Sequence, residues 1–425
     1  MRRPAPILLV VAVAAMVAGG AFAYPLSGYE NSGIRRLYAF GHREIFGGRT
    51  LPAGAQMPLE FVQLRLTAVG REFDVSDSTA RDPELQAGLE AILGDTDPRY
   101  SIALLDITDP AKPRYAALNE TKTYLPGSIG KVLVATGLLN ALASAFPAPE
   151  ERLRVLRETW ITADDFVRGD HHSVPIVDLA AGTLENRVIR LGDRFTLFEW
   201  IDHALSPSSN AAGATSWKQA MLLRRFGSSY PPSAEQETTF FSQTSKTELT
   251  QRSLEVIEQP LREAGLDTTQ LRQGTMFTPG GRAAVPGVRS YASPRELLRL
   301  LLRIEQGRLI DEPSSLELKR LLYFTKRRYR YAVSPALDRA ALYFKSGSFY
   351  RCAPEPGFRC RQYAGNVENL MNSIAVVETP AVPEPGATQR VYLVALMSNV
   401  LRKNSAADHR DIATRIDELV ARLNP

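Results

Sequence analysis

The sequence has few of the residues that mark metal sites, disulfide-rich domains or nucleic-acid-binding surfaces. Among 425 residues there are two cysteines and five histidines, and the formal net charge is only +5. A charge this small and dispersed does not favour binding to nucleic acid, and no zinc-finger spacing, RNA-binding signature or phosphate-binding loop occurs. We therefore expect no nucleic-acid partner, no metal and no cofactor. The content of 44% hydrophobic and 23% charged residues is typical of a globular protein.

The apolar run near the N-terminus is short for a membrane span. A positively charged start is followed by an apolar stretch at 7–18 and by small residues that end at Ala23. This order predicts a secretory signal at 1–23 with cleavage after Ala23, and an uncleaved membrane anchor is the alternative. No cysteine follows the apolar run, which argues against a lipid anchor. Both interpretations predict a protein secreted across the inner membrane, into the periplasm.

The two cysteines lie close together in the sequence, and so do two of the five histidines. Cys352 and Cys360 lie in one short segment that contains proline and glycine, and in an oxidising compartment they predict a local disulfide. Two free thiols are the alternative. The run 170–172 (D-H-H) contains two of the five histidines but has no further ligand at metal-binding spacing, so we predict no metal site there.

Hydrophobic periodicity predicts one main domain at 83–425, preceded by an N-terminal extension at 24–82. The extension is rich in glycine and proline turns, with one alternating stretch at 61–66 that predicts a strand. In the main domain, strands are predicted at 100–107, 114–118, 342–345, 372–378 and 390–398. Helices are predicted at 85–93, 150–159, 210–226, 252–264, 297–305 and 408–423, with another inside 190–204, and a polar loop at 228–247. This order indicates one sheet built from both ends of the domain and a helical lobe at about 140–335.

A sharp turn followed by a helix carries a serine and a lysine at helical spacing. Pro126 and Gly127 break the preceding structure, Ser128 stands where a helix begins, and Lys131 follows at the start of an apolar run. Residues at i and i+3 share one helix face, so the hydroxyl and the amine are predicted to meet. A serine needs an adjacent base to act as a nucleophile, and a lysine between apolar walls can be that base. The alternative is a solvent-facing pair without a chemical role.

Two further polar motifs fall at the ends of predicted elements. Ser208 and Asn210 begin the helix at 210–226, where serine and asparagine are also good N-caps without any other role. Lys345, Ser346 and Gly347 end a strand, where a cation, a hydroxyl and a glycine suit an anion that approaches the backbone closely. The alternative is an edge strand guarded by its lysine.

Taken together, the three motifs resemble the signature of the serine β-lactamase and penicillin-binding protein superfamily. They stand in the family order at 128–131 (S-I-G-K), 208–210 (S-S-N) and 345–347 (K-S-G). The resemblance is closest to the class A β-lactamase-like branch and covers about 83–425. It implies an α/β (α+β) fold with a mainly antiparallel sheet flanked by helices, an all-helical lobe, and an active site between them.

The resemblance also implies a chemical role for each motif residue. Ser128 would be the nucleophile and Lys131 its base, directly or through water. Ser208 would pass a proton to the leaving nitrogen, with Lys345 nearby.

Substrate binding is implied at the same motifs. Asn210 would hold the amide side chain of the substrate, and Ser346 of the Lys-Ser-Gly motif would bind its carboxylate together with Lys345, beside Gly347. The backbone N–H groups of Ser128 and Ser348 would form the oxyanion hole. The implied function is an exported serine hydrolase that forms an acyl-enzyme with β-lactams or peptidoglycan peptides. The alternatives are a D-alanyl-D-alanine peptidase and a non-catalytic envelope protein that keeps the fold for binding.

Two departures from the family pattern bear on the reaction. Ser209 stands where class A enzymes have aspartate, a change we expect to be tolerated. Class A enzymes also carry a loop glutamate that activates the water for deacylation, but the corresponding stretch 268–278 contains no acidic residue. Glu255, Glu258 and Glu263 on the preceding helix are expected to be solvated. We therefore expect slow deacylation.

A basic and aromatic run at 326–331 remains outside these motifs. We predict that it forms a solvated face, and contact with an anionic cell-envelope surface is the alternative. The sequence contains no signal for an oligomeric state.

Overall fold

The computed structural model describes residues 27–47, 51–94, 99–325 and 328–425, and its main element is a five-stranded antiparallel sheet. The strands are β1 Tyr100–Asp106, β2 Arg114–Leu118, β3 Trp160–Thr162, β4 Ser173–Asp178, β5 Thr183–Val188, β6 Arg194–Thr196, β7 Leu271–Arg272, β8 Tyr291–Ala292, β9 Ala341–Arg351, β10 Glu368–Thr379 and β11 Arg390–Asn399. The large sheet has the order β2-β1-β11-β10-β9, so both ends of the main domain contribute to it as predicted. The predicted signal at 1–23 lies outside the described residues.

Helices cover both faces of this sheet. They are α1 Ser27–Ser32, α2 Arg35–Gly41, α3 Arg43–Phe46, α4 Pro83–Leu93, α5 Gly130–Ala145, α6 Pro149–Glu158, α7 Leu197–Leu205, α8 Asn210–Phe226, α9 Ala234–Gln243, α10 Lys246–Glu263, α11 Pro279–Ala284, α12 Pro294–Glu305, α13 Glu312–Tyr323 and α14 Ala406–Leu423. Leu104 of β1 lies in a buried cluster with Leu85 of α4 and Ile416 of α14. The next residue, Leu105, faces the other way and joins a cluster that includes Leu301 of α12. This mixed fold confirms the predicted class.

The helix that follows Ser128 is the core of the helical lobe. Twelve of the sixteen residues of α5 are buried, and the helix packs against α8 and α10. Gly137 allows the close approach to α10, because a Cβ there would lie 2.7 Å from the Val256 carbonyl oxygen. Within the described ranges, one helical segment, Gly127–Ala145, is long and apolar enough to cross a membrane, but 78% of its most apolar window is buried inside the protein. That burial is typical of the core helix of a folded domain.

The N-terminal extension contributes to the core rather than forming a separate one. Leu37, Met57 and Leu66 are buried in the cluster that also contains α5 and α12 side chains. Arg36 donates two hydrogen bonds of 2.5 Å to Asp202 of α7, and both side chains are buried. Removing one partner of such a buried pair leaves an uncompensated charge and lowers the free energy of unfolding by about 3–5 kcal/mol. The extension and the helical lobe therefore depend on each other for stability.

Two sequence predictions about local structure were wrong. The alternating stretch at 61–66 is not a strand, because its backbone bonds to the end of a helix: the Leu66 amide donates to the Glu305 carbonyl and the Arg65 amide to the Glu305 carboxylate. The segment 228–247 is not a polar loop but contains α9 and the start of α10. Ser233 and Ser245 cap these two helices, so the serines that suggested a loop are helix-start residues.

Other elements follow the sequence patterns closely. The helix predicted at 210–226 has those bounds as α8, and Thr196 caps α7 in a capping box with Glu199. The lobe also carries short two-stranded sheets that the sequence did not predict, among them the β4–β5 hairpin. Cys352 and Cys360 are joined by a disulfide with a Cα–Cα distance of 6.0 Å, in the connection between β9 and β10.

Candidate active site

The serine of the first motif lies in a tight turn that contacts strand β9. A 3₁₀ turn, Gly127–Ile129, carries Ser128 directly before α5 begins. Gly127 has a φ of +58°, which glycine adopts easily, and a Cβ there would lie 2.8 Å from the Ser348 amide nitrogen. The turn therefore brings the backbone of Ser128 close to the backbone of β9.

Lys131 lies beside Ser128 with its amine held by three oxygen atoms. Its Nζ is 2.8 Å from Ser128 Oγ, 2.7 Å from Asn210 Oδ1 and 2.9 Å from the Ser208 carbonyl oxygen. The side chain is fully buried, and the Phe277 ring lies 4.9 Å from Nζ. The i, i+3 spacing thus produces the predicted contact, and the second motif fixes the amine in position.

The second motif occupies the connection between α7 and α8. Ser208 has a φ of +67°, which is unusual for a residue other than glycine and is a feature of functional sites. Its Oγ accepts a hydrogen bond of 2.9 Å from Lys345 Nζ, which links the second motif to the third. Ser209 caps α8 by accepting a hydrogen bond from the Ala212 amide.

The third motif packs against the turn of the first. In β9, a Cβ on Gly347 would lie 2.0 Å from the Pro126 carbonyl oxygen and 3.1 Å from the Ser128 amide nitrogen, so only glycine fits. Lys345 and Ser346 are buried, and Lys345 Nζ also donates to the Ser346 carbonyl at 2.8 Å. Ser346 Oγ bonds to the hydroxyl of Tyr329 at 3.0 Å.

A cavity of about 410 Å³ opens in front of Ser128. Of the predicted site residues, Ser128, Asn210 and Ser348 line it, whereas Lys345, Ser346 and Ser208 lie together in a narrow gap with Tyr329. The structure therefore brings all three motifs together, but Tyr329 covers the predicted carboxylate-binding group.

The basic run at 326–331 is not a solvated face where the structure describes it. Arg330 and Tyr331 are buried, and Lys326 and Arg327 lie outside the described residues. Arg330 donates to the Gly347 carbonyl at 3.0 Å, and its guanidinium lies 4.8 Å from the Tyr329 ring centroid. Burial lowers the pKa of this guanidinium. The prediction failed because Arg330, whose φ is +60°, is held in the interior by its hydrogen bond to a distant strand.

The acidic residues after the second motif do not reach the cavity in the described structure. Glu255 and Glu263 are exposed, as predicted for solvated groups. Glu258 is an exception, because it is buried and bonds to the guanidinium of Arg272. The stretch 268–278 instead contributes Gln273 to the cavity, among other side chains.

The run at 170–172, considered from the sequence only as a metal site, lies beside Ser209 in the folded chain. Asp170 Oδ1 lies 2.6 Å from His172 Nδ1, and Asp170 Oδ2 accepts hydrogen bonds of 2.8 Å from Ser209 Oγ and from the Ala211 amide. Class A enzymes have an aspartate at the position of Ser209. Here Asp170, from a different part of the chain, supplies a carboxylate at the same helix start. No sequence signal pointed to this contact, since the two segments meet only in the folded chain.

The charge state of this pair follows from its surroundings. Burial opposes ionisation of Asp170, but the hydrogen bonds from His172 and Ala211 outweigh it and lower the pKa of the carboxyl group. Burial lowers the pKa of His172 below its ordinary 6.5, and the charge of Lys131 adds to that effect. The side-chain atoms of Asp170, His171 and His172 that are able to bind a metal ion lie within 4.8 Å of one another. The Asp170 carboxylate is already satisfied by its protein partners, so the group does not need a cation.

Comparison with known proteins agrees with this fold. Residues 251–415 match the model of the β-lactamase enzyme family, and no curated protein matches by sequence. A point variant of PBP-A, solved as an acyl-enzyme complex with penicillin G, is similar in fold, with a TM-score of 0.50 and 12% identity over 81% of this chain and 98% of that chain. TLA-3 extended-spectrum β-lactamase is similar with a TM-score of 0.52 and 15% identity over 80% and 98% of the two chains.

Proposed function

We propose that the chain is an exported enzyme of the serine β-lactamase and penicillin-binding protein superfamily that forms an acyl-enzyme at Ser128. The match of residues 251–415 to the family model and the shared fold support this proposal. The proposed substrates are β-lactams or peptidoglycan peptides, and the proposed location is the periplasm. The single observation that carries the proposal is the distance of 2.8 Å between Lys131 Nζ and Ser128 Oγ. A nucleophile and its base within hydrogen-bond distance form the arrangement that covalent catalysis requires.

The proposed reaction begins with proton transfer from Ser128 to a neutral Lys131. Ser128 Oγ then bonds to the carbonyl carbon of the substrate, and the backbone N–H groups of Ser128 and Ser348 stabilise the negative oxygen. When the C–N bond breaks, Ser208, whose Oγ lies 2.9 Å from Lys345 Nζ, passes a proton to the leaving nitrogen. Ser208 regains the proton that Lys131 took from Ser128, so Lys131 is neutral again. The product of this half-reaction is an ester of Ser128.

Substrate contacts follow from the same positions. Asn210 would hold an amide of the substrate, and its Oδ1 also anchors Lys131. Ser346, next to Gly347, would bind the substrate carboxylate together with Lys345 once the Tyr329 hydroxyl has left Ser346 Oγ.

Slow release of the acyl group is part of this proposal. General-base activation of water contributes about a hundred- to ten-thousand-fold to a rate. The stretch 268–278 offers no carboxylate for that role, and neither Glu263 nor Asp267 lines the cavity. We expect an acyl-enzyme that can be isolated after free penicillin is removed.

Labelling with a fluorescent penicillin tests the proposal. The purified protein should be labelled covalently, and Ser128→Ala should lose the label while keeping its fold by circular dichroism. Equal labelling of the variant would reject the assignment of Ser128.

A second candidate function is a D-alanyl-D-alanine peptidase, for which the same motifs would serve. Release of D-alanine from a peptide ending in D-alanyl-D-alanine, with loss of activity in Ser128→Ala, would favour it over a β-lactamase. A protein that binds such peptides without labelling or turnover would instead be a non-catalytic envelope protein. The retained contact between Ser128 and Lys131 argues against that alternative.

A further inference from the structure

A histidine oriented by a carboxylate lines the same cavity as the proposed nucleophile. His172 and Ser128 both line the wall of this cavity, as does Asn210 of the second motif. His172 Nδ1 lies 2.6 Å from Asp170 Oδ1. A carboxylate at this distance favours a proton on Nδ1, so the lone pair of the neutral ring is on Nε2.

The position of His172 is fixed by its link to helix α8. Asp170 accepts one hydrogen bond from Ser209 and one from the Ala211 amide, both at the start of that helix. The carboxylate side chain is 2% exposed, whereas the His172 ring is 23% exposed. The dyad therefore has a buried, anchored acid and a ring that can meet a water molecule or a substrate.

The charges around His172 keep it neutral near pH 7. Burial disfavours the imidazolium, as do His171 and Lys131 when their side chains are charged, while Asp170 favours it. Arg282, which also lines the cavity, is a further cation on that wall. The net direction is a pKa below the ordinary 6.5 of histidine, so the ring is available to accept a proton.

We propose that His172, oriented by Asp170, is the general base that activates the water for deacylation. The proposal rests on the proposed function, because it requires an acyl group on Ser128. His172 Nε2 takes one proton from water while the water oxygen bonds to the acyl carbonyl carbon. The bond from that carbon to Ser128 Oγ then breaks, and the imidazolium returns the proton to Oγ. The products are the free serine and a carboxylic acid.

This assignment supplies a base for the slow deacylation that still occurs without a carboxylate in the stretch 268–278, and the base comes from a different part of the chain. The dyad lies before the second motif in sequence, whereas the class A glutamate lies after it. In a catalytic triad, an acid orients a histidine that accepts a proton from the serine. His172 and Asp170 would have the same two roles, but the proton would come from the deacylating water.

The test compares His172→Gln with a matched control, His171→Gln, in chelator-treated protein. His171 is the exposed neighbour whose ring stacks on His172 at 4.5 Å, so the control repeats the substitution one residue away. Each variant is acylated with penicillin, freed of excess drug and followed by intact mass. His172→Gln should lengthen the life of the acyl-enzyme by about a hundred-fold or more, a much larger effect than its effect on the acylation rate.

The wild-type deacylation rate should also fall as the pH drops through the pKa of His172, which lies below the ordinary 6.5, and this dependence should be absent from His172→Gln. An unchanged acyl-enzyme lifetime in His172→Gln would overturn the inference, and so would an equal delay in His171→Gln. Failure of the wild-type protein to form any penicillin adduct would instead overturn the proposed function on which the inference rests.

Discussion

Gly347 of β9 packs directly against the backbone of Pro126 in the turn that carries Ser128. A Cβ on Gly347 would lie 2.0 Å from the Pro126 carbonyl oxygen. Two backbone segments this close have no space for a methyl group between them. Their contact sets the relative position of the Ser128 and Ser348 amides, which are the proposed oxyanion hole.

The first prediction is that Gly347→Ala weakens acylation by displacing β9 from the Ser128 turn. Loss of one oxyanion-hole donor costs about a hundred- to a thousand-fold in rate, and we expect a decrease of that order in the rate of labelling by fluorescent penicillin. Gly94→Ala is the matched control, because Gly94 has a helical backbone at the end of α4. Normal labelling of Gly347→Ala would contradict the proposed oxyanion hole.

The second prediction concerns the base for acylation. Lys131→Met keeps a side chain of similar length but removes the amine that lies 2.8 Å from Ser128 Oγ. Loss of a general base should slow acylation by about a hundred- to ten-thousand-fold. Lys122→Met repeats the change at an exposed lysine and should label at the wild-type rate. A Lys131→Met protein that is folded and fully reactive would exclude Lys131 as the base.

The third prediction is that Tyr329→Phe tightens the binding of penicillin before acylation. The Tyr329 hydroxyl bonds to Ser346 Oγ at 3.0 Å and so competes with a substrate carboxylate for that group. A net hydrogen bond contributes about 0.5–1.5 kcal/mol. We therefore expect Tyr329→Phe to reach half its maximal acylation rate at a penicillin concentration about two- to ten-fold lower than wild type. Weaker binding by the variant would show that the hydroxyl assists the substrate instead of competing with it.

The fourth prediction concerns the pH dependence of stability. Burial lowers the pKa of His409 to about 3 in the folded protein, against an ordinary value of 6.5. Between these values the unfolded chain binds a proton that the folded chain does not. The stabilisation from neutral His409 is therefore complete above pH 6.5 and is lost as the pH falls, by at most about 1.4 kcal/mol per pH unit.

The comparison of wild type with His409→Gln isolates this effect. Glutamine can still bond to Ser398, whose Oγ lies 3.1 Å from His409 Nε2. Burial raises the pKa of Asp417 to about 6, which opposes the His409 trend, but Asp417 is present in both proteins. The excess unfolding free energy of wild type over the variant should shrink from pH 6 to pH 4 in urea titrations. A constant difference would show that His409 is not buried as a neutral ring.

Much of the site could be predicted because it depends on local patterns. The spacing of Ser128 and Lys131 on one helix face places their side chains together, and Thr196 marks the start of α7 through a capping preference that acts over a few residues. The sheet from both ends of the domain also follows from the order of strands and helices.

The remaining features depend on contacts between distant segments. The pairing of Asp170 with Ser209 joins two loops, and nothing local to either residue requires it. The inward turn of Arg330 depends on its bond to the Gly347 carbonyl, and the irregular path around Leu66 depends on its bond to the end of α12. Periodicity records only which side of an element is apolar, so it does not indicate such bonds.

The most direct measurement is to map the residue that carries the penicillin adduct. The wild-type protein is incubated with penicillin, digested and analysed by tandem mass spectrometry. We predict one adduct, on Ser128, with the mass of intact penicillin because the opened ring stays attached through the ester. An adduct on another residue, or none at saturating penicillin, would contradict the assignment of Ser128 and Lys131 as nucleophile and base.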